Sequence, residues 1–304
     1  MYDLIKIRKL NKKRIVILVI LLILLVTLAT ISGIKLADYH KLQEQAKEYQ
    51  KQQEEIEREE LEKKRQEEEK KQAELEKRIE QTSRPLSEEE KDRILHIYRS
   101  TGEKRVFLTF DDGPSKTVTP LILDLLKKEE VKATFFTLGN SARNNPDILK
   151  REFDEGHYVA NHGYSHRYSE IYSSPEATLN EYNVTEQAIK DALGNQSYSS
   201  RLFRFPGGSN GGYYDEAKQN SKALLRENGV VHLDWNSLSE DAAGAHTKED
   251  LMQNVINTMG DKDSVVILMH DSSDKILTYE MLSDLINYLK EKGYAFKNIY
   301  DLLD

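Results

Sequence analysis

The chain has 304 residues, a formal net charge of -8 and no cysteine. The acidic balance excludes a nucleic-acid binder that works by broad phosphate neutralisation. The missing thiols exclude disulfides, thiolate metal sites and cysteine nucleophiles together.

Residues 1–14 form a basic segment, with Lys6, Arg8, Lys9, Lys12, Lys13 and Arg14 set against one acid, Asp3. From Ile15 to Ile34 the chain then carries no charge. As a helix rising about 1.5 Å per residue, this run spans about 30 Å, the thickness of a bilayer core. Residues 15–34 therefore read as a transmembrane helix, and the positive-inside rule keeps the N-terminus cytoplasmic and the remainder extracellular. The competing reading is a cleaved signal peptide. Its apolar core is usually about 7–15 residues and is followed by a small-x-small site; this run is longer and has no clear Ala-x-Ala site after it.

Residues 35–100 read as a charged helical stalk and linker. Lys41 to Gln81 is nearly all Glu, Lys, Gln and Arg, with no Gly or Pro. Pairs such as Glu59–Lys63, Glu60–Lys64, Glu67–Lys71 and Glu74–Arg78 support an exposed helix by a few tenths of a kcal/mol each. The apolar positions Ile56, Leu61, Ala73, Leu75 and Ile79 keep no heptad. A solvated stalk is thus favoured over a self-associating coiled coil, and about forty helical residues would reach about 60 Å from the membrane. Ser83-Arg84-Pro85 interrupts it, and Ser87 with Glu90 predicts a capping box opening a short helix through about Tyr98.

From residue 101 to 304, apolar runs of strand length alternate with helical patterns, the signature of βα units. Strands are expected at Val106–Phe110, Ala133–Leu138, Tyr158–Ala160, Leu202–Phe205, Val230–Trp235, Val265–Met269 and Ala295–Lys297. Helices are expected at Val118–Glu129, Pro146–Glu155, Pro175–Leu193, Asp215–Glu227, Lys248–Met259 and Tyr279–Lys292. The rhythm suits an α/β domain built as a distorted or incomplete (β/α) barrel, with a doubly wound open sheet as the alternative.

Five polar segments follow expected strands, on the face where sites form in β/α barrels. Thr109-Phe110-Asp111-Asp112-Gly113-Pro114 is ordinary turn chemistry on its own. Two adjacent strand-end carboxylates can nonetheless divide the work, one binding a metal and one acting as a general base. Asn161-His162-Gly163-Tyr164-Ser165-His166 supplies two imidazoles, and two His with one Asp leave coordination positions open for water and substrate. Arg201 to Ser209 places arginines around a strand that ends in Pro206-Gly207-Gly208, where a guanidinium can serve a carboxylate and a backbone N–H can approach a ligand. Asp234-Trp235-Asn236, with Asp241 downstream, carries the only tryptophan, as core or as a groove wall. Val265 to Asp271 delivers His270 at a strand end, as a structural residue or as an acid opposite an aspartate base. His40, His96, His157, His232 and His246 belong to no such constellation.

Taken together, these segments resemble the polysaccharide deacetylases of carbohydrate esterase family four, the NodB-type domain, over about Lys104 to Asp304. The resemblance implies one divalent metal, zinc first, with cobalt, manganese or nickel as alternatives. It implies Asp112, His162 and His166 as ligands, Asp111 as catalytic base and His270 as catalytic acid. Leu268 would line the acetyl pocket. Arg204, Pro206 and Gly207 match the groove motif, in which the Gly207 N–H would help hold an oxyanion, and Asp241 would support the catalytic histidine. Trp235 would line the groove. Two positions depart from the pattern: Gly163 stands where Ser or Thr is usual, and Ala242 follows Asp241 where Trp is frequent. An anchor, an outward stalk and this domain together resemble membrane-bound peptidoglycan N-acetylglucosamine deacetylases of Gram-positive bacteria, with a cell-wall glycan as partner and no nucleic acid. The alternatives are an O-acetyl esterase, a deacetylase of another glycan, or a non-catalytic wall-binding scaffold.

Overall fold

The computed structural model describes residues 2–31, 36–244 and 246–304. They form two units, residues 1–72 and 73–304. In the first, α1 (Tyr2–Ile31) includes a 20-residue stretch, Lys12–Ile31, of mean hydropathy 3.0, long and apolar enough to cross a membrane. The last residues of the expected span, 32–34, lie outside the described residues. The charged helix α2 (Leu36–Ser83) follows. Its Glu67–Lys71 pair closes at 2.7 Å between solvent-exposed side chains, a contact worth a few tenths of a kcal/mol.

The second unit begins at Ala73, ahead of the expected boundary at residue 101. The final turns of α2 belong to it: Leu75 packs on the cluster of Leu149, Phe153 and Tyr198. Gln81 is buried and donates to the Leu303 carbonyl at 3.1 Å, and the Thr82 carbonyl accepts from the Ser199 N–H. Polar residues make much of this docking, which an apolar pattern does not report.

The capping box is present at α3 (Glu88–Leu95): Ser87 Oγ accepts from the Glu90 N–H at 3.1 Å, and Glu90 Oε2 accepts from the Ser87 N–H at 2.7 Å. Buried Glu90 also takes two bonds from Arg84 and one from the Asp304 N–H. The Arg84 hydrogen bonds hold its carboxyl down at about 2, against 4.5 for an ordinary glutamate. Its contribution to stability is therefore complete above about 4.5 and fades as the pH falls towards about 2. Replacing Glu90 by alanine is expected to cost about 2–3 kcal/mol at neutral pH. Denaturant unfolding followed through Trp235 fluorescence measures it, and the difference from the parent should shrink in acid.

The sheet is parallel throughout. Its strands are β1 (Arg105–Asp111), β2 (Thr134–Thr137), β3 (Tyr158–Asn161), β4 (Leu202–Phe203), β5 (Val231–His232), β6 (Ser237–Leu238), β7 (Ser264–His270) and β8 (Ala295–Lys297). Their order is β5-β4-β3-β2-β1-β7-β6, with β8 paired to the start of β1. Consecutive strands β5 and β6 thus lie at opposite edges. A flat sheet would hold them about 29 Å apart at ~4.8 Å per strand. The short link from His232 to Ser237 reaches at most about 18 Å, so the sheet must curl. The result is a curled half-barrel, and the open doubly wound alternative is excluded. The expected strand Val230–Trp235 is accordingly only two residues of β5, because the chain must leave that edge to cross the gap, and β6 was not anticipated.

The helices are α4 (Thr119–Lys128), α5 (Gly139–Asn144), α6 (Pro146–Asp154), α7 (Tyr168–Ile171), α8 (Pro175–Leu193), α9 (Asp215–Glu227), α10 (Lys248–Met259) and α11 (Ile276–Glu291), with a 3-10 turn at Ile299–Leu302. Helices α5 and α7, which are too short to show a period, are not among the expected elements. Strand β1 is buried on both faces. Val106, Leu108 and Phe110 pack outward with Ile122, Leu126 and Leu285. Phe107 faces the interior with Phe136, Tyr158, Leu202 and Val266, closed below by Ile94, Ile97 and Leu302. Strand alternation sends Thr109 and Asp111 to that same inner face.

Candidate active site

Parallel register brings the C-terminal strand ends together, and Asp111 of β1 pairs directly with His270 of β7. Asp111 is buried, with Oδ1 accepting from Arg204 Nη1 at 2.8 Å and Oδ2 lying 3.7 Å from His162 Nε2. Burial pushes its carboxyl above the usual range, against the pull of the Arg204 and His270 charges.

Arg204 is fully buried and spends its whole fork on the protein. It donates to Thr109 Oγ1 (2.7 Å), the Leu233 carbonyl (3.0 Å) and the Asp234 carbonyl (2.9 Å) as well as to Asp111, while its guanidinium lies 3.8 Å over the Phe136 ring. Its burial suits it to support the Asp111 carboxylate.

Asp112, His162 and His166 converge, with one ligand atom from each lying within 4.8 Å of the others. Asp112 Oδ1 is 3.6 Å from His162 Nε2 and 3.4 Å from His166 Nε2, and it is buried with no hydrogen-bond partner among the described residues. His162 Nδ1 lies 2.9 Å from the Arg204 carbonyl, so this nitrogen carries the proton and Nε2 presents a lone pair. Burial lowers the His162 imidazole to about 3, which keeps it neutral. The donor set of one carboxylate and two imidazoles, with an orphaned buried oxygen between them, fits a divalent metal.

Backbone conformation aims these side chains. Asp112 (φ 76°) and His166 (φ 56°) sit in the left-handed region, uncommon for residues with a side chain and concentrated at functional sites. Gly113 has no alternative, since a Cβ there would lie 2.1 Å from Asp271 Oδ2. The loop from His162 to His166 is tied down from α8, where Glu181 Oε2 accepts from the N–H groups of Tyr164 (2.6 Å) and Ser165 (2.8 Å). Asn161 Oδ1 accepts from the Gly163 N–H. The loop is therefore anchored through its backbone, without the hydroxyl that Gly163 lacks.

On the opposite side His270 Nδ1 meets Asp241 Oδ1 at 2.7 Å, while Asp241 Oδ2 accepts from the His270 N–H and from Thr278 Oγ1, both at 2.7 Å. Burial alone would lower the His270 imidazole. The hydrogen bond and charge of Asp241, with the charges of Asp111 and Asp112, outweigh it and raise the value to about 9. Gly207 is exposed at φ 73°, and its N–H makes no hydrogen bond among the described residues. Pro206 is buried, its carbonyl accepting from the Tyr172 hydroxyl at 2.7 Å. Leu268 is buried on β7 beside Leu238. Trp235 is half-buried, its ring 3.2 Å from where a Gly208 Cβ would stand. A polar cleft of about 320 Å³ opens next to Asp112, lined by Lys116, Asn140, Asn144 and Ser272 among others.

Glu181 and Thr278 are supporting residues that the sequence does not single out, and Thr109 stands in the first polar segment without an assigned role. Glu181 and Thr278 lie on helices and Thr109 inside a strand, where periodicity assigns them only to a face.

The sequence profile of the polysaccharide deacetylase family matches residues 98–228. The chain is 35% identical over 214 residues to the peptidoglycan-N-acetylglucosamine deacetylase PgdA of Listeria monocytogenes, covering 69% of this chain but only 41% of that protein. It thus spans about two fifths of that relative. It is 33% identical over 232 residues to the putative polysaccharide deacetylase YheN of Bacillus subtilis, covering 74% of this chain and 78% of that one. Among solved structures, a carbohydrate esterase of family 4 from Streptococcus mutans superposes with a TM-score of 0.60 at 31% identity, over 70% of this chain and 92% of that one. The catalytic domain of a peptidoglycan N-acetylglucosamine deacetylase from Eubacterium rectale gives 0.57 at 32%, over 66% and 90%. The curled sheet, the strand-end site and these likenesses agree: the chain belongs to the polysaccharide deacetylase family.

Proposed function

We propose that the protein hydrolyses the N-acetyl groups of cell-wall peptidoglycan N-acetylglucosamine, releasing acetate on the outer side of a membrane to which α1 anchors it. The observation that carries this reading is the orphaned Asp112 Oδ1, buried between two imidazole nitrogens, with a buried carboxylate and a carboxylate-bound histidine beside it. The names of the relatives supply the substrate class, an N-acetylglucosamine of peptidoglycan.

Asp112, His162 and His166 would hold one divalent ion, zinc first. Such an ion supplies Lewis-acid polarisation of the acetyl carbonyl and acidifies a neighbouring water. Asp111 takes the proton from the attacking water, its raised affinity for protons suiting it to a base. Arg204 fixes the orientation of that carboxylate. The free N–H of Gly207 donates to the developing oxyanion. His270, held protonated by Asp241, gives its proton to the departing amine.

This last assignment fixes the alkaline limb of the pH profile. The acid works while His270 is protonated, so activity falls as the pH rises through its pKa. Asp241→Asn removes a charge that holds this pKa up, and the alkaline limb of kcat/KM should move to lower pH. An unmoved limb would remove His270 from the acid role. The substrate reading is tested by acetate release: N-acetylglucosamine polymers should be cleaved, whereas release from O-acetylated glycans alone would make the protein an esterase.

A further inference from the structure

A row of aromatic rings leaves the metal-ligating loop, and the chemistry above does not use it. The His166 ring lies 5.6 Å from Tyr168, Tyr168 lies 6.3 Å from Tyr214, and Tyr214 lies 4.9 Å from Tyr213. Tyr172 supports the row from beneath, 5.8 Å from Tyr168 and 5.5 Å from Tyr214. It is itself fixed by its bond to the Pro206 carbonyl and by the Lys218 ammonium 5.4 Å from its ring.

Both ends of the row face solvent. Tyr168 is 39% exposed and Tyr213 is 94% exposed, and neither hydroxyl has a hydrogen-bond partner among the described residues. At the inner end a Cβ on Gly207 would lie 2.6 Å from the Tyr168 hydroxyl, so this ring borders the free Gly207 N–H. At the outer end the loop is tethered: Asp215 Oδ1 accepts from the Gly211 N–H at 2.6 Å, and Asn210 Oδ1 accepts from Lys222 at 2.9 Å.

A tyrosine presents an apolar face and a polar tip, and suits a partner with a C–H face and a rim of hydroxyls. A pyranose ring has both. A lipid surface would call for a wider apolar patch, whereas the loop that carries Tyr213 also holds Asn210 and is bonded to Asp215, Gln219 and Lys222. We propose that Tyr168, Tyr214 and Tyr213 form a glycan-binding track, in which Tyr168 packs against the reacting sugar and Tyr213 against a residue further along the same strand. This deepens the deacetylase reading and rests on it for the position of the reacting sugar.

The test is direct binding of N-acetylglucosamine oligomers of increasing length to the full chain in detergent. It is done in an Asp111→Asn background so that nothing is consumed, and read through the single tryptophan, Trp235. Affinity should rise with length. Tyr213→Ala should weaken binding of the longer oligomers by about five- to tenfold and flatten the length dependence, and Tyr213→Phe, which keeps the ring, should restore most of it. On the active chain the Tyr213→Ala loss should appear in KM rather than in kcat. Unchanged affinity of Tyr213→Ala for long oligomers, or no oligomer binding before Tyr213 is altered, overturns the track. Length-dependent binding through Tyr213 without acetate release from the unaltered chain would uphold the track and discard the deacetylase reading.

Discussion

Asp111→Asn is expected to lower kcat for acetate release by about 10²–10⁴-fold, the range typical of a lost general base. The replacement is nearly isosteric, and the asparagine oxygen can still accept from Arg204. What disappears is the capacity to take a proton from water. The fold should lose some stability, because the buried Arg204 cation is left without its carboxylate partner. Steady-state kinetics beside thermal unfolding separate the two effects. A variant that keeps a tenth or more of the parental kcat would assign the base elsewhere.

Arg204→Met carries the largest expected loss of stability, about 3–5 kcal/mol, the cost of removing one partner from a buried ion pair. Four acceptors lose their donor at once: Thr109 Oγ1, Asp111 Oδ1 and the carbonyls of Leu233 and Asp234. Lysine should not rescue it, since a point charge cannot reproduce a planar fork. Most of the damage should come from the stranded Asp111 carboxylate, so adding Asp111→Asn to Arg204→Met should recover part of the stability. Denaturant midpoints of the two single variants and the double variant form the cycle. Strict additivity would show that the pair is not coupled.

These two expectations also mark how far the chemistry was legible from residues alone. Asp111, Asp112, His162, His166 and His270 stand at strand ends, where short motifs survive in one dimension, and the fold gathers them at one mouth. Arg204 was legible as a guanidinium that can serve a carboxylate, but its network was not, because only the inner face of the curled sheet makes it a buried hub. The closure of the sheet was hidden for a related reason. Apolar alternation in Val230–Trp235 reports burial and does not report that the chain must step from one sheet edge to the other. The docking of Gln81 and Thr82 was hidden because polar residues carry it. The aromatic row is scattered over residues 166–214 and assembles only when α7 and the loop before α9 meet.

Acetate release from purified peptidoglycan, before and after metal removal, tests the central claim most directly. The account predicts about one divalent ion per chain, activity abolished by a chelator and restored by adding back one divalent ion, and glucosamine appearing in step with acetate. His162→Ala and His166→Ala should each lose most of that ion by elemental analysis. Full activity in the chelated protein, or an undiminished ion in both variants, would contradict it.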